Sequence, residues 1–171
     1  LLTRWRPRGE TTRWSAPATG FHIESTVSSD TPTEWLQYEH WACTADVRSR
    51  GIASPVTDND SYNQGETRRA LNAIHDITLS CRLRGAGEGS LFLAAADGDQ
   101  LWEAELDSSS QVILRCNGKT ILSKTAKIDF AKHPIDLEFG LCDQQVLLVV
   151  QGKTVLLHPF ERPTLETAAT L

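Results

Sequence analysis

From residue 74 onward, apolar and polar residues alternate with period two. Ile77, Leu79, Cys81 and Leu83 fall on one side, and Thr78, Ser80, Arg82 and Arg84 on the other, the pattern of a half-buried strand. A second strand covers 90–95 and is closed by Asp97-Gly98. In a third, Trp102, Ala104 and Leu106 point one way and Glu103, Glu105 and Asp107 the other. Val112, Leu114 and Cys116 run into Asn117-Gly118, and both of these residues tolerate the positive φ that a type I′ hairpin turn demands. Residues 119–123 return. Ile135, Leu137, Phe139 and Leu141 form another alternating strand, Asp143-Gln144 turns into 146–150, and Gln151-Gly152 turns into 154–158. Short strands spaced by about 8–12 residues, with tight turns between them, predict an all-β fold of the antiparallel β-sandwich or barrel type. The expected core comprises Ile77, Leu79, Leu83, Trp102, Leu106, Leu114, Leu137, Phe139 and Leu148.

The first part of the chain reads differently. Residues 1–34 are rich in Thr, Ser, Pro and Arg and are expected to form an extended N-terminal arm with one short strand at 20–24. Trp5, Trp14 and Phe21 are costly to leave in water, so the arm is expected to lie on the same domain or on the remainder of a larger protein. Residues 35–41 alternate and suit a strand. Residues 44–72 make a long connection, with a helical turn expected within 66–73. The resulting organisation is an arm (1–34), a β-sandwich domain (35–160) and a tail (161–171).

Charge narrows the partners. The 171 residues carry a net charge of -5, which argues against nucleic acid or an anionic membrane surface as the main partner. The one basic cluster is Arg4, Arg6, Arg8 and Arg13, and it reads as solvated. No apolar run approaches the ~20 residues that span a bilayer, so no direct membrane insertion is expected. The chain contains no Met and is therefore expected to be a processed product or a fragment of a larger one. Cys43, Cys81, Cys116 and Cys142 are too far apart for the usual zinc or redox spacings and read as buried free thiols, with one bridge between facing strands left open.

The chemistry-bearing residue types do not assemble into a complete site. Glu103, Glu105 and Asp107 share one face of one strand, and a retaining glycosidase needs two carboxyls ~5–5.5 Å apart. They lie opposite the core residues Trp102 and Leu106, however, which makes them a solvent-facing acidic surface first. Asp58-Asn59-Asp60 offers oxygen ligands, but calcium takes about six to eight. His22, His40, His75, His133 and His158 share no metal spacing. The run from Gly85 to Gly89 joins two strands, so it is a turn and not a phosphate cradle. The sequence thus assigns no catalytic residue, no cofactor-binding residue, no metal ligand and no cofactor.

Several stretches together resemble the large insertion of some bacterial type I signal peptidases. They are Glu34-Trp35-Leu36-Gln37-Tyr38-Glu39-His40-Trp41, Pro55-Val56-Thr57-Asp58-Asn59-Asp60-Ser61-Tyr62-Asn63, and the runs 76–83, 89–106 and 141–155. The resemblance spans about residues 34–158. It implies a concanavalin-like jelly roll on the extracytoplasmic (periplasmic) side of a bacterial membrane, anchored through a parent that cleaves signal peptides with a Ser–Lys dyad. Neither the Ser segment nor the Lys segment of that dyad is matched here. Lys119, Lys124, Lys127, Lys132 and Lys153 all read as solvent-exposed, whereas the mechanism needs a deprotonated Lys. The resemblance therefore implies a non-catalytic accessory domain whose partners are the rest of the parent and, through it, secreted preproteins. A carbohydrate-binding jelly-roll module is the alternative, and a glycan hydrolase resting on Glu103 and Glu105 comes after it.

Overall fold

The computed structural model describes residues 5–9, 12–17, 20–24, 32–40, 56, 74–85, 89–129 and 133–162. It divides into two compact units, Leu1–Ile74 and His75–Leu171.

In the first unit, β1 (Trp5–Pro7) pairs antiparallel with β4 (Leu36–Tyr38), and β2 (Trp14–Ser15) pairs with β3 (His22–Ile23). The strand expected at 20–24 is β3, and the one expected at 35–41 is only the three residues of β4. Trp5 packs edge-on against Tyr38, with ring centroids 5.3 Å apart. The Arg-rich stretch is tied into this unit: Arg6 pairs with Glu39, and Arg13 donates from both its backbone and its side chain to Glu34. Those hydrogen bonds hold the Glu34 carboxyl below its ordinary range. Most of the 44–72 connection, and the turn expected within 66–73, lie outside the described residues. Val56 is described, and its carbonyl accepts from Ile74 N–H at 2.9 Å.

The second unit is all-β. One antiparallel sheet is ordered β12-β11-β10-β5, from β5 (Ile77–Leu83), β10 (Ile135–Cys142), β11 (Gln145–Val150) and β12 (Lys153–Pro159). The other is the meander β6-β7-β8-β9, from β6 (Ser90–Asp97), β7 (Gln100–Asp107), β8 (Gln111–Cys116) and β9 (Lys119–Thr125). Period-two alternation gives each sheet one apolar face, and the two faces contribute to a single buried cluster, a sandwich-like arrangement. Trp102, Ala104, Leu106, Val112 and Leu114 come from the meander, and Leu137, Phe139, Leu141, Val146, Leu148 and Leu156 from the other sheet. Six of the nine expected core residues are buried. Ile77, Leu79 and Leu83 pack against the cluster but are only partly covered, because β5 is an edge strand.

Three two-residue turns share one backbone solution. Asn117-Gly118, Asp143-Gln144 and Gln151-Gly152 all have positive φ at both positions, with φ of 49° and 77° at the first, as a type I′ hairpin requires. Two of the tips are tied to the next strand over. Asn117 N–H donates to Leu101 O, and Asn117 Oδ1 accepts from Leu101 N–H at 2.8 Å. Gln151 donates from its backbone to Asp136 O and from its side chain to Pro134 O. Within β10, Gly140 is required by close approach: a Cβ there would lie 2.7 Å from Ile77 O and from Thr78 Oγ1.

Candidate functional site

The carboxylate-bearing face of β7 is the first place to look for chemistry. Glu105 Oε2 lies 2.6 Å from an Arg115 guanidinium nitrogen, and Oε1 accepts from Ser90 Oγ at 3.1 Å. In register, Arg115 sits opposite Glu103, so the ion pair with Glu105 runs diagonally across β7 and β8. Glu105 and Arg115 are only 17% and 24% exposed, less open than an outward sheet face suggests. Asp107 has a different task. Its Oδ1 accepts from Gln111 N–H and from Ser109 Oγ, both at 2.8 Å. The Gln111 bond first, then the Ser109 bond, pulls its carboxyl below the ordinary range. Asp107 therefore closes the β7–β8 turn. Of the three acids, one is held in an ion pair and one builds a turn. The Glu105 and Asp107 carboxylates of this strand thus both have structural partners.

The second place lies at one end of the unit. Asp97, the last residue of β6, is the buried charged side chain among the described residues, at 5% exposure. Two side chains meet its two oxygens: the His75 ring at Nδ1 on Oδ1, and the Arg162 guanidinium, donating from Nε to Oδ2 at 2.8 Å. A buried carboxylate needs such partners, because leaving it unpaired costs several kcal/mol. Arg162 also reaches Asp76 Oδ1 at 2.8 Å, and Asp143 N–H donates to the same oxygen. The Arg162 hydrogen bond lowers the Asp76 carboxyl against partial desolvation. Arg162 thus ties the segment after β12 to the end of β6 and to the approach to β5. Arg162, the second residue of the expected tail, is therefore anchored.

Asp76, Cys142 and Asp143 bring ligand atoms within 4.8 Å of one another at this end. All three residues are exposed, and the Arg162 cation already neutralises Asp76. Partial desolvation, then the charges of Asp143 and Asp76, push the Cys142 thiol up, which disfavours the thiolate a metal would need. Sequence reading missed this cluster because its members are far apart in the chain. The single local hint was Asp97-Gly98, which read only as a turn.

The remaining candidates separate. Lys119, Lys124, Lys127 and Lys153 are exposed, and Lys132 lies outside the described residues. His158 packs on Trp102 with ring centroids 5.9 Å apart. His22 and His133 are exposed. Cys81 and Cys116 are half-buried free thiols and Cys142 is exposed, so the expectation of buried thiols fails for Cys142, which faces outward at the end of β10. Cys43 and Asp58-Asn59-Asp60 lie outside the described residues. Among the described residues, no helix is long and apolar enough to cross a membrane.

The fold and these contacts define the class: an all-β, antiparallel, sandwich-like domain whose most enclosed charges are engaged with one another. In comparisons with protein-family models, with curated proteins and with solved structures, nothing matches the chain.

Proposed function

We propose that this chain is a non-catalytic extracytoplasmic accessory domain of a larger bacterial protein resembling type I signal peptidase, and that its finer fold is a concanavalin-like jelly roll. One observation carries the reading: the enclosed ionisable groups serve the architecture. Asp97 is neutralised by Arg162 and hydrogen-bonded to His75, Glu105 is paired with Arg115, and Asp107 completes a turn. A Ser–Lys dyad instead needs an amine stripped of solvent beside a hydroxyl, and the described lysines are exposed. The hairpins of the 141–155 run and the strands of the 89–106 run coincide with stretches that carry the resemblance. The partners under this reading are the rest of the parent and the secreted preproteins it processes.

The test begins with the complete gene. Its product should carry a Ser segment and a Lys segment outside this domain. The isolated chain should leave a signal-peptide substrate intact, and the parent with residues 34–158 excised should still cleave it, at an altered rate or with altered substrate preference. A parent without those segments would sink the proposal. So would specific retention of this chain on a glycan array, which would favour the carbohydrate-binding alternative.

A further inference from the structure

β9 is the most open strand of the second unit. It lies at the edge of its sheet, hydrogen-bonded to β8 alone among the described strands. Every one of its residues except Leu122 is exposed. It carries Lys119 and Lys124, and exposed Lys127 follows it. None of these three makes an ion pair among the described residues, whereas Arg82, Arg115 and Arg162 are all paired. Thr120, Ser123 and Thr125 add hydroxyls, and Ile121, 38% exposed, adds an apolar contact.

We propose that β9 is a docking edge for an extended acidic segment of another protein, which adds to the meander as a fifth strand. An edge strand presents backbone N–H and C=O groups that template strand addition, and in β9 the irregularity at Ile121, where the register with β8 shifts, divides them into two short stretches. Main-chain hydrogen bonds supply the affinity, and the lysines supply the sign. They also disfavour the simplest competitor, a second copy of this chain. Antiparallel pairing of two β9 strands would set Lys119 of one near Lys124 of the other, and like charges facing across strands are destabilising. An acidic strand turns the same lysines into partners, so one feature both repels self-association and selects the ligand. The hairpin also fixes which donors are open. Cys116 and Lys119 flank the two-residue turn and form its closing pair. The next residue, Thr120 opposite Arg115, directs its N–H away from β8 because hydrogen-bonded and open pairs alternate along an antiparallel ladder.

The experiment titrates the full 171-residue chain with an acetylated, amidated octapeptide alternating valine and glutamate, followed by amide NMR. Shifts should concentrate at residues 119–127, and binding should weaken about tenfold between 50 and 500 mM salt, as screening requires. The charge reversal Lys119→Glu, Lys124→Glu, Lys127→Glu should weaken binding by at least about tenfold while the fold persists, since these side chains are in solvent. A peptide N-methylated at alternate residues, which lacks half its donors, should not bind. Thr120→Pro should abolish binding, because it removes an outward donor at an edge. Shifts centred elsewhere, equal binding of the N-methylated peptide, undiminished binding to the triple variant, a dimer formed through β9, or no binding at millimolar peptide would each overturn the proposal.

Discussion

At the residue scale, the contrast between Asp97 and Asp136 shows what burial does to an ion pair. Arg82 and Asp136 form a two-pronged pair across β5 and β10, yet their side chains are 72% and 53% exposed. Water screens such a pair, and many contribute nothing measurable. Arg82→Ala is therefore expected to leave the melting temperature unchanged within error. Arg162→Ala removes the guanidinium from a carboxylate that is 4% exposed and should cost about 2–3 kcal/mol in chemical denaturation. Acid should act on a different set of groups. Asp76, Asp107 and Asp136 all have carboxyls lowered by hydrogen bonds in the fold. A lowered folded-state pKa gives stability that is present above the unfolded value, about 4, and is lost as pH falls through the folded value. Thermal stability should thus be insensitive to these groups from pH 5 to 7 and fall below about pH 4. Asp107→Asn should flatten that fall, which a series of melts from pH 2 to 7 would read.

At the scale of the element, turns decide where the strands stop and which ones meet. Asp143 and Gln144 both adopt positive φ, of 49° and 57°, without a glycine. The left-handed region costs an ordinary L-residue about 1–2 kcal/mol, part of which glycine loses again to chain entropy. Gln144→Gly should accordingly raise the unfolding free energy by about 0.5–1 kcal/mol, with the backbone bond from Phe160 N–H to Gln144 O kept. Gly140 should behave in the opposite way. Its missing Cβ leaves room for the backbone of Ile77 and the side chain of Thr78, so Gly140→Ala forces β5 and β10 apart. A loss of about 1–3 kcal/mol is expected by denaturant titration. If the variant matched the wild type, the close approach of β5 to β10 would be wrong.

At the scale of the whole molecule, the chain is two compact units with different means of support. The second buries a continuous apolar cluster between two four-stranded sheets, and Arg162 fastens the segment that follows its last strand. A fragment of residues 75–162 should therefore fold alone and keep a strand-dominated circular dichroism spectrum. Ending it at residue 160 deletes the Arg162 anchor and should lower its melting temperature by several degrees. Within that unit, Leu106→Ala, at a site with no exposed surface, should cost about 2–5 kcal/mol. Leu157→Ala, at a site 56% exposed, should stay within about 0.5 kcal/mol of wild type.

Much of the second unit was legible in the chain before any coordinates, because strand and hairpin signals are local. Trp102, Ala104 and Leu106 alternate with Glu103, Glu105 and Asp107 whatever lies beyond them, and Asn117-Gly118 carries its own backbone preference. Such residues determine by themselves that strands form, where they turn, and which side faces inward. The pairing of β1 with β4 was not legible, because it joins residues some thirty positions apart through side chains with no periodic pattern. Nor could the pairing of β5 with β10 be read, since the whole meander lies between them. Asp97, Arg162, Asp76 and Asp143 show the same limit in the chemistry. Asp97 and Asp143 read as turn residues, Arg162 as a tail residue and Asp76 as the start of a strand, and only the return of the last strand beside β11 sets the guanidinium between two carboxylates. Charges act through space, and distance through space is what the tertiary fold alone decides.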